Sequence, residues 1–162
     1  LSVVGTQRRA ESPYFRAKIA QEELIAESGI EYTLVHATQF FEFVKSIADA
    51  ATDNGVVRLA HVGIQPIAAD DVAEFVGDVA LGYPWNKIVE TAGPERFALD
   101  DLVRTGLDYR GDDRLVLPDS QSRYFGALLS ADVLLPEPGA RLSETTFAEW
   151  LPANPPPAPT PR

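Results

Sequence analysis

The sequence predicts an α/β fold organised around a parallel sheet. The first observation is a strand–helix–glycine–strand succession in the opening 36 residues, the spacing of a βαβ unit with a crossover helix. The second is that helical and strand patterns keep alternating beyond that point, as in an α/β protein. The third is length: 162 residues are enough for one domain with a sizeable core.

Each element has a local cause. Residues 2–5, "SVVG", form a short apolar run that fits a buried strand. "TQRRAES" is polar loop. Ser12 suits an N-cap, and Pro13 suits the first helical position, where its missing N–H costs nothing. The helix is predicted over 13–28, with Gly29 as its stop. "EYTLVHA" is rich in β-formers and predicts a strand over 32–36. A second helix is predicted over 40–51, opened by Phe40, Phe41 and Phe43. "DNG" at 53–55 is a turn, and 56–59 and 64–67 are short strands. Asp70 or Asp71 caps a third helix to about 81, with Val72, Phe75, Val76 and Val79 on its apolar face. A strand over 87–91, a helix over about 99–110 and a strand over 114–117 follow. A short helix or turn over 147–151 ends a smaller, irregular C-terminal part. The predicted division is a body over 1–151 and a Pro-rich disordered tail, 152–162.

Composition narrows the function. The net charge of -10 argues against nucleic acid and anionic membranes as partners. No run approaches the ~20 apolar residues of a membrane span. With no Cys, disulfides and thiolate metal sites are excluded, and with His36 and His61 the only histidines, no metal site is expected. A cytoplasmic protein acting on a small molecule fits best. The chain has no Met and opens on what reads as the end of a strand, so a preceding segment is expected to be missing.

Tyr14 and Lys18 are four residues apart and share a helix face. A phenol beside a positive Lys and a helix N-terminus has its phenolate stabilised. It can then exchange a proton with a carbonyl or alcohol while a cofactor exchanges hydride. The alternative is an ordinary helix face, with Lys18 solvated and Tyr14 a half-buried wall residue. Ser2, twelve residues before Tyr14, places a hydroxyl at the strand end. A helix cap explains Asp70 and Asp71, and a helix first turn Asp100 and Asp101, better than acid/base pairing does. Tyr124 and Phe125 are read as packing residues.

The segment "LSVVG…SPYFRAKIAQEELIAESGIEYTLVHATQFFEF" resembles the second half of an NmrA-like atypical short-chain dehydrogenase/reductase. "QPIAADDVAEFVGDVALG" and "VETAGPERFALDDLV" extend the resemblance over residues 1–150. It implies a Rossmann-like three-layer fold with a parallel sheet, of which only the second half is present, plus a small α+β part on the substrate side. It implies an NAD(P)-dependent oxidoreductase acting on a small carbonyl or related substrate. Lys18 matches the helix lysine that binds ribose or acts in proton transfer, Tyr14 the family's acid/base, and Ser2 the third catalytic member. Ala37, Thr38, Gln39 and Phe40 match the turn that approaches the nicotinamide. His36 stands where similar proteins often carry Arg, and a structural role is expected for it.

A dinucleotide cleft also needs a Gly-rich turn at a helix N-terminus to receive the pyrophosphate. None of the eleven glycines forms G-x-G-x-x-G. NAD(P) is therefore expected to bind only together with the missing N-terminal half, or with a homo-oligomeric or other partner that supplies the missing strands. Two further readings stay open: a non-catalytic NAD(P)-sensing regulator and a truncated interaction module.

Overall fold

The computed structural model describes residues 1–9, 12–124 and 126–156. Strand β1 (Ser2–Val3) leads through a loop to helix α1 (Pro13–Glu27), with Ser12 at the N-cap and Pro13 in the first turn as predicted. Ser28 closes the helix, and Gly29 takes a left-handed φ of 72°, a conformation that glycine adopts without steric cost. Strand β2 (Thr33–Ala37) follows at once. Strand–helix–strand is therefore realised, and β1 pairs parallel to β2 with Ser2 opposite His36.

The predicted helix over 40–51 begins later than expected. Phe40 is extended and bridges Ile67, and the Phe41 amide donates to the Ile67 carbonyl at 2.9 Å. These backbone groups are committed to a neighbouring segment, so only a 3-10 turn (Phe41–Phe43) precedes helix α2 (Val44–Ala50). Strands β3 (Thr52–Asp53) and β4 (Val56–Leu59) flank the predicted turn. The strand expected over 64–67 is interrupted: β5 is Gly63–Ile64, and Pro66, with no N–H, separates it from the bridge at Ile67.

Helix α3 (Ala69–Leu81) starts before its expected caps. Ala68 is the N-cap, and the Ala69 amide donates to Glu42 at 3.1 and 3.2 Å. Asp70 and Asp71 lie inside the first turn, where negative charge favours the helix dipole. Then come β6 (Lys87–Ala92), β7 (Phe97–Ala98), α4 (Leu99–Tyr109) and β8 (Leu115–Pro118). The two-residue strands β9 (Arg123–Tyr124), β10 (Ala127–Leu128) and β11 (Arg141–Leu142) are too short to show periodicity in sequence. Helix α5 (Phe147–Ala153) runs two residues into the predicted tail, of which 157–162 lie outside the described residues. Phe125 lies outside them too.

The main sheet has the order β1-β2-β6-β11, and all its pairs are parallel. A second sheet, β3-β4-β8, stands apart from it. The larger apolar core belongs to this second body, not to the main sheet. Phe41, Val44, Val57, Leu102, Phe147 and Trp150 are among its members. The cluster at the main sheet is small: Ala37, Ile67 and Val72, with Phe40 and Val76 against them. Arg114 ties the second body's edge together. It bonds Asp112, reaches Asp49 at 2.9 Å and donates to Thr52 at 2.8 Å. The C-terminal part predicted as small and irregular contributes Phe147, Trp150 and Leu151 of α5 to this core, most of which comes from α2, α4 and the strands between them.

Candidate functional site

In an open parallel sheet, ligands bind outside the carboxyl ends of the strands. Here three loops meet at that edge. The Val4 amide donates to the Ala37 carbonyl at 3.0 Å, and the Thr38 amide to the Thr91 carbonyl at 3.1 Å. The Gln65 side-chain amide donates to the Gly93 carbonyl at 2.7 Å. The approach at Gly93 is very close: a Cβ there would lie 1.9 Å from the Pro66 carbonyl oxygen. The segment around Gln65–Ile67 therefore seals one side of the edge.

The turn after β2 carries the polar groups of this edge. Thr38 and Gln39 are buried, and Thr38 Oγ1 and Gln39 Oε1 have no hydrogen-bond partner among the described residues. Buried polar atoms are nearly always paired, so two adjacent unpartnered oxygens suit a ligand that carries donors. Ala37 is buried in the small cluster with its carbonyl used by Val4. Phe40 stacks on Phe43 at 5.4 Å between centroids, while Phe41 is fully buried in the larger core. Packing thus accounts for Phe41, and Phe43 remains largely exposed.

Helix α1 brings the predicted catalytic pair. Tyr14 is 50% exposed and makes an edge contact with Phe15, with centroids 5.0 Å apart. Lys18 is half-buried and donates to Gln21 at 3.4 Å. Ser2 is buried, and its hydroxyl donates to Glu22 Oε1, so it faces α1.

Glu22 is the residue that sequence reasoning missed. It sits among "QEEL", which reads as a solvated helix face, yet it is only 6% exposed. Its Oε1 lies 3.1 Å from His36 Nε2, a contact misaligned for a hydrogen bond, and its Oε2 has no partner among the described residues. His36 is the buried structural residue expected, held between Ser2 and Glu90, which lie in register on its two neighbouring strands. Burial holds the imidazole below its ordinary value, against the opposing pull of Glu22 and Glu90. One signal was available in sequence: Glu22 stands one helical turn after Lys18 and seven residues after Phe15, on the face that docks.

A second polar cluster lies in the other body. His61, Asp100 and Asp101 bring ligating atoms within 4.8 Å of one another. His61 Nδ1 is 2.8 Å from the buried Asp100, and Arg104 already pairs with both carboxylates. Guanidinium therefore supplies the positive charge there.

Comparison with known proteins agrees on the fold. No family model and no curated protein sequence matches the chain. Among solved structures, it is similar to an NADPH-dependent quinone oxidoreductase from Escherichia coli, with a TM-score of 0.61 and 21% identity over 92% of this chain. It is also similar to a nucleoside-diphosphate-sugar epimerase from Staphylococcus aureus, with a TM-score of 0.52 and 17% identity over 85% of this chain. The chain spans 64% of the first protein's length and 57% of the second's. The fold is Rossmann-like α/β with a parallel sheet. None of the described helices is long and apolar enough to cross a membrane.

Proposed function

We propose that this chain forms the nicotinamide side of an NAD(P)-dependent oxidoreductase of the NmrA-like type, acting on a small carbonyl or related substrate. The observation that carries the reading is the turn at the carboxyl end of β2. Its buried, unpartnered Thr38 and Gln39 oxygens lie beside the loop that leads to the helix with Tyr14 and Lys18. Both similar structures belong to proteins whose names describe nucleotide-linked chemistry, and one is NADPH-dependent. When bound, the nicotinamide supplies hydride. Gln39 Oε1 accepts from the carboxamide, Thr38 and Lys18 hold ribose-side oxygens, and Tyr14 gives its phenolic proton to the substrate oxygen. Ala37 and Phe40 shape the turn through their packing. The phosphates need donors from a further segment or a partner subunit, because the sequence has no Gly-rich phosphate turn.

The test uses reduced nicotinamide mononucleotide, which omits the adenosine half. Amide shifts at Thr38, Gln39 and the first turns of α1 are expected in NMR titration of the 162-residue chain. Shifts confined to other surfaces would refute the site. A non-catalytic sensor is the second reading. It is favoured by Ser2, whose hydroxyl is engaged by Glu22 and reaches a substrate only by leaving it. Turnover of NAD(P)H against quinones and aldehydes that disappears in Tyr14→Phe supports the enzyme; binding without turnover supports the sensor.

A further inference from the structure

Helix α1 docks on the sheet in an unusual way. Of its fifteen residues, Phe15 and Glu22 are the buried ones. Phe15, in the first turns, is an ordinary apolar anchor. Farther along, the neighbours of Glu22 give no equivalent: Glu23 and Leu24 are exposed and Ile25 is only half-buried. The second anchor of this helix is thus a carboxyl, a group that is costly to bury and is kept where its partners define a geometry. Those partners come from both adjacent strands: Ser2 on β1 and His36 on β2, which face each other in register. Lys18 stands one turn before Glu22 on the same helix, so any rotation or lift of Glu22 moves Lys18 with it.

We infer that Glu22 is the positioning residue of α1: bonded by the Ser2 hydroxyl and lying 3.1 Å from the His36 imidazole, it sets the rotation and depth of the helix that carries Lys18 and Tyr14. What Lys18 and Tyr14 then do rests on the function proposed above; the clamp itself does not. The clamp has a built-in sensitivity. Glu22 from α1 and Glu90 from β6 are the charged groups that face His36, and Ser2 of β1 lies in register beside it. A docked helix keeps the imidazole buried and hard to protonate, whereas an undocked helix lets it titrate near its ordinary value of about 6.5. Falling pH therefore favours undocking.

Hydrogen-exchange protection factors measured on the 162-residue chain test this. Removing one partner of a buried polar pair is expected to lower α1 protection about a hundredfold in Glu22→Gln at pH 7, with α4 unchanged. Wild-type α1 should lose protection roughly tenfold between about pH 7 and pH 5.5, and His36→Gln, neutral at every pH, should abolish that slope. Three results overturn the inference: α1 protection in Glu22→Gln within about twofold of wild type, equal loss in α1 and α4, or an unchanged slope in His36→Gln. The His36→Gln slope gives the answer even where Glu22→Gln fails to fold. In the catalytic assay, Glu22→Gln is expected to raise KM for NAD(P)H about tenfold with a smaller change in kcat, and to shift the pH profile. If nicotinamide mononucleotide binds and exchange is unaltered, the clamp alone fails. If exchange changes as expected without nicotinamide binding, the proposed function alone fails.

Discussion

Helices α1 and α4 solve the same problem by different means. Each packs beside parallel strands, but α4 surrounds its buried Asp100 with Leu99, Leu102, Val103 and Leu107, whereas α1 buries only Phe15 beside Glu22. The apolar contacts that dominate the first arrangement are non-directional. The second depends on the alignment of a few polar atoms, which makes it weaker and adjustable. The difference divides the molecule: the larger apolar core lies in the body formed by α2, α4 and α5, and helix α1 at the main sheet relies on a polar contact. Mobile and ligand-responsive parts of proteins are drawn from regions of low local stability, and the candidate site lies on that side.

The sharpest way to break the comparison is to attack the larger apolar core. Phe147 packs on Phe41 at 5.0 Å between centroids and on Trp150 at 6.1 Å. Phe147→Ala is expected to cost about 3–5 kcal/mol and to lower the thermal midpoint of the whole chain, measured by circular dichroism. If only α5 is lost while the rest keeps its midpoint, the body is not one cooperative core.

Two glycines compare the regions directly. At Gly93 the obstacle to a Cβ is backbone, the Pro66 carbonyl oxygen at 1.9 Å. Gly93→Ala should therefore cost about 3 kcal/mol by urea titration and pull the Gln65 segment from the site. At Gly106 the obstacle is a side-chain atom, the Cγ1 methyl of the buried, β-branched Val44, at 2.6 Å. Gly106→Ala gains up to about 1 kcal/mol of helix propensity against an overpacking cost of about 1–3 kcal/mol, so its net cost should be about 1–2 kcal/mol, below that at Gly93. Equal costs at the two positions would contradict the assignment of the Gly93 contact to backbone.

The pH dependence separates the regions next. His36 is held below its ordinary value in the folded protein, chiefly by burial. The unfolded chain therefore binds more protons just below about pH 6.5, and the stability attributable to this group is complete above that value and lost as pH falls towards the folded one. Urea midpoints should decline over that range in wild type, by no more than one proton's slope of about 1.4 kcal/mol per pH unit, and should decline less in His36→Gln. The smallest effect is expected at α5. Thr146 and Glu149 form a capping box there, with Thr146 N donating to Glu149 Oε2 at 3.1 Å. Thr146→Ala should cost about 1 kcal/mol, visible as faster exchange of the first α5 amides.

Much of this was legible in the residues themselves. Ser12–Pro13 and Gly29 bound α1, and the β-formers of "YTLVHA" produced β2, because caps, breakers and local periodicity act over a few residues. The spacing of Tyr14 and Lys18 was readable for the same reason, whereas Thr38 and Gln39 were singled out by the family resemblance alone. The start of α2, the cap of α3 by the Glu42 carboxylate and the strand β11 were not, since each depends on a partner far away in sequence.

The sequence by itself determined the alternation of strands and helices, the parallel βαβ start and the absence of a Gly-rich phosphate turn. Only the tertiary structure decided which side holds the apolar core, and that a glutamate in an ordinary-looking polar run is buried against Ser2 and His36. The physical reason is that burial is a property of the assembled surfaces: Glu22 looks like its exposed neighbour Glu23 until two strands close over one face of the helix.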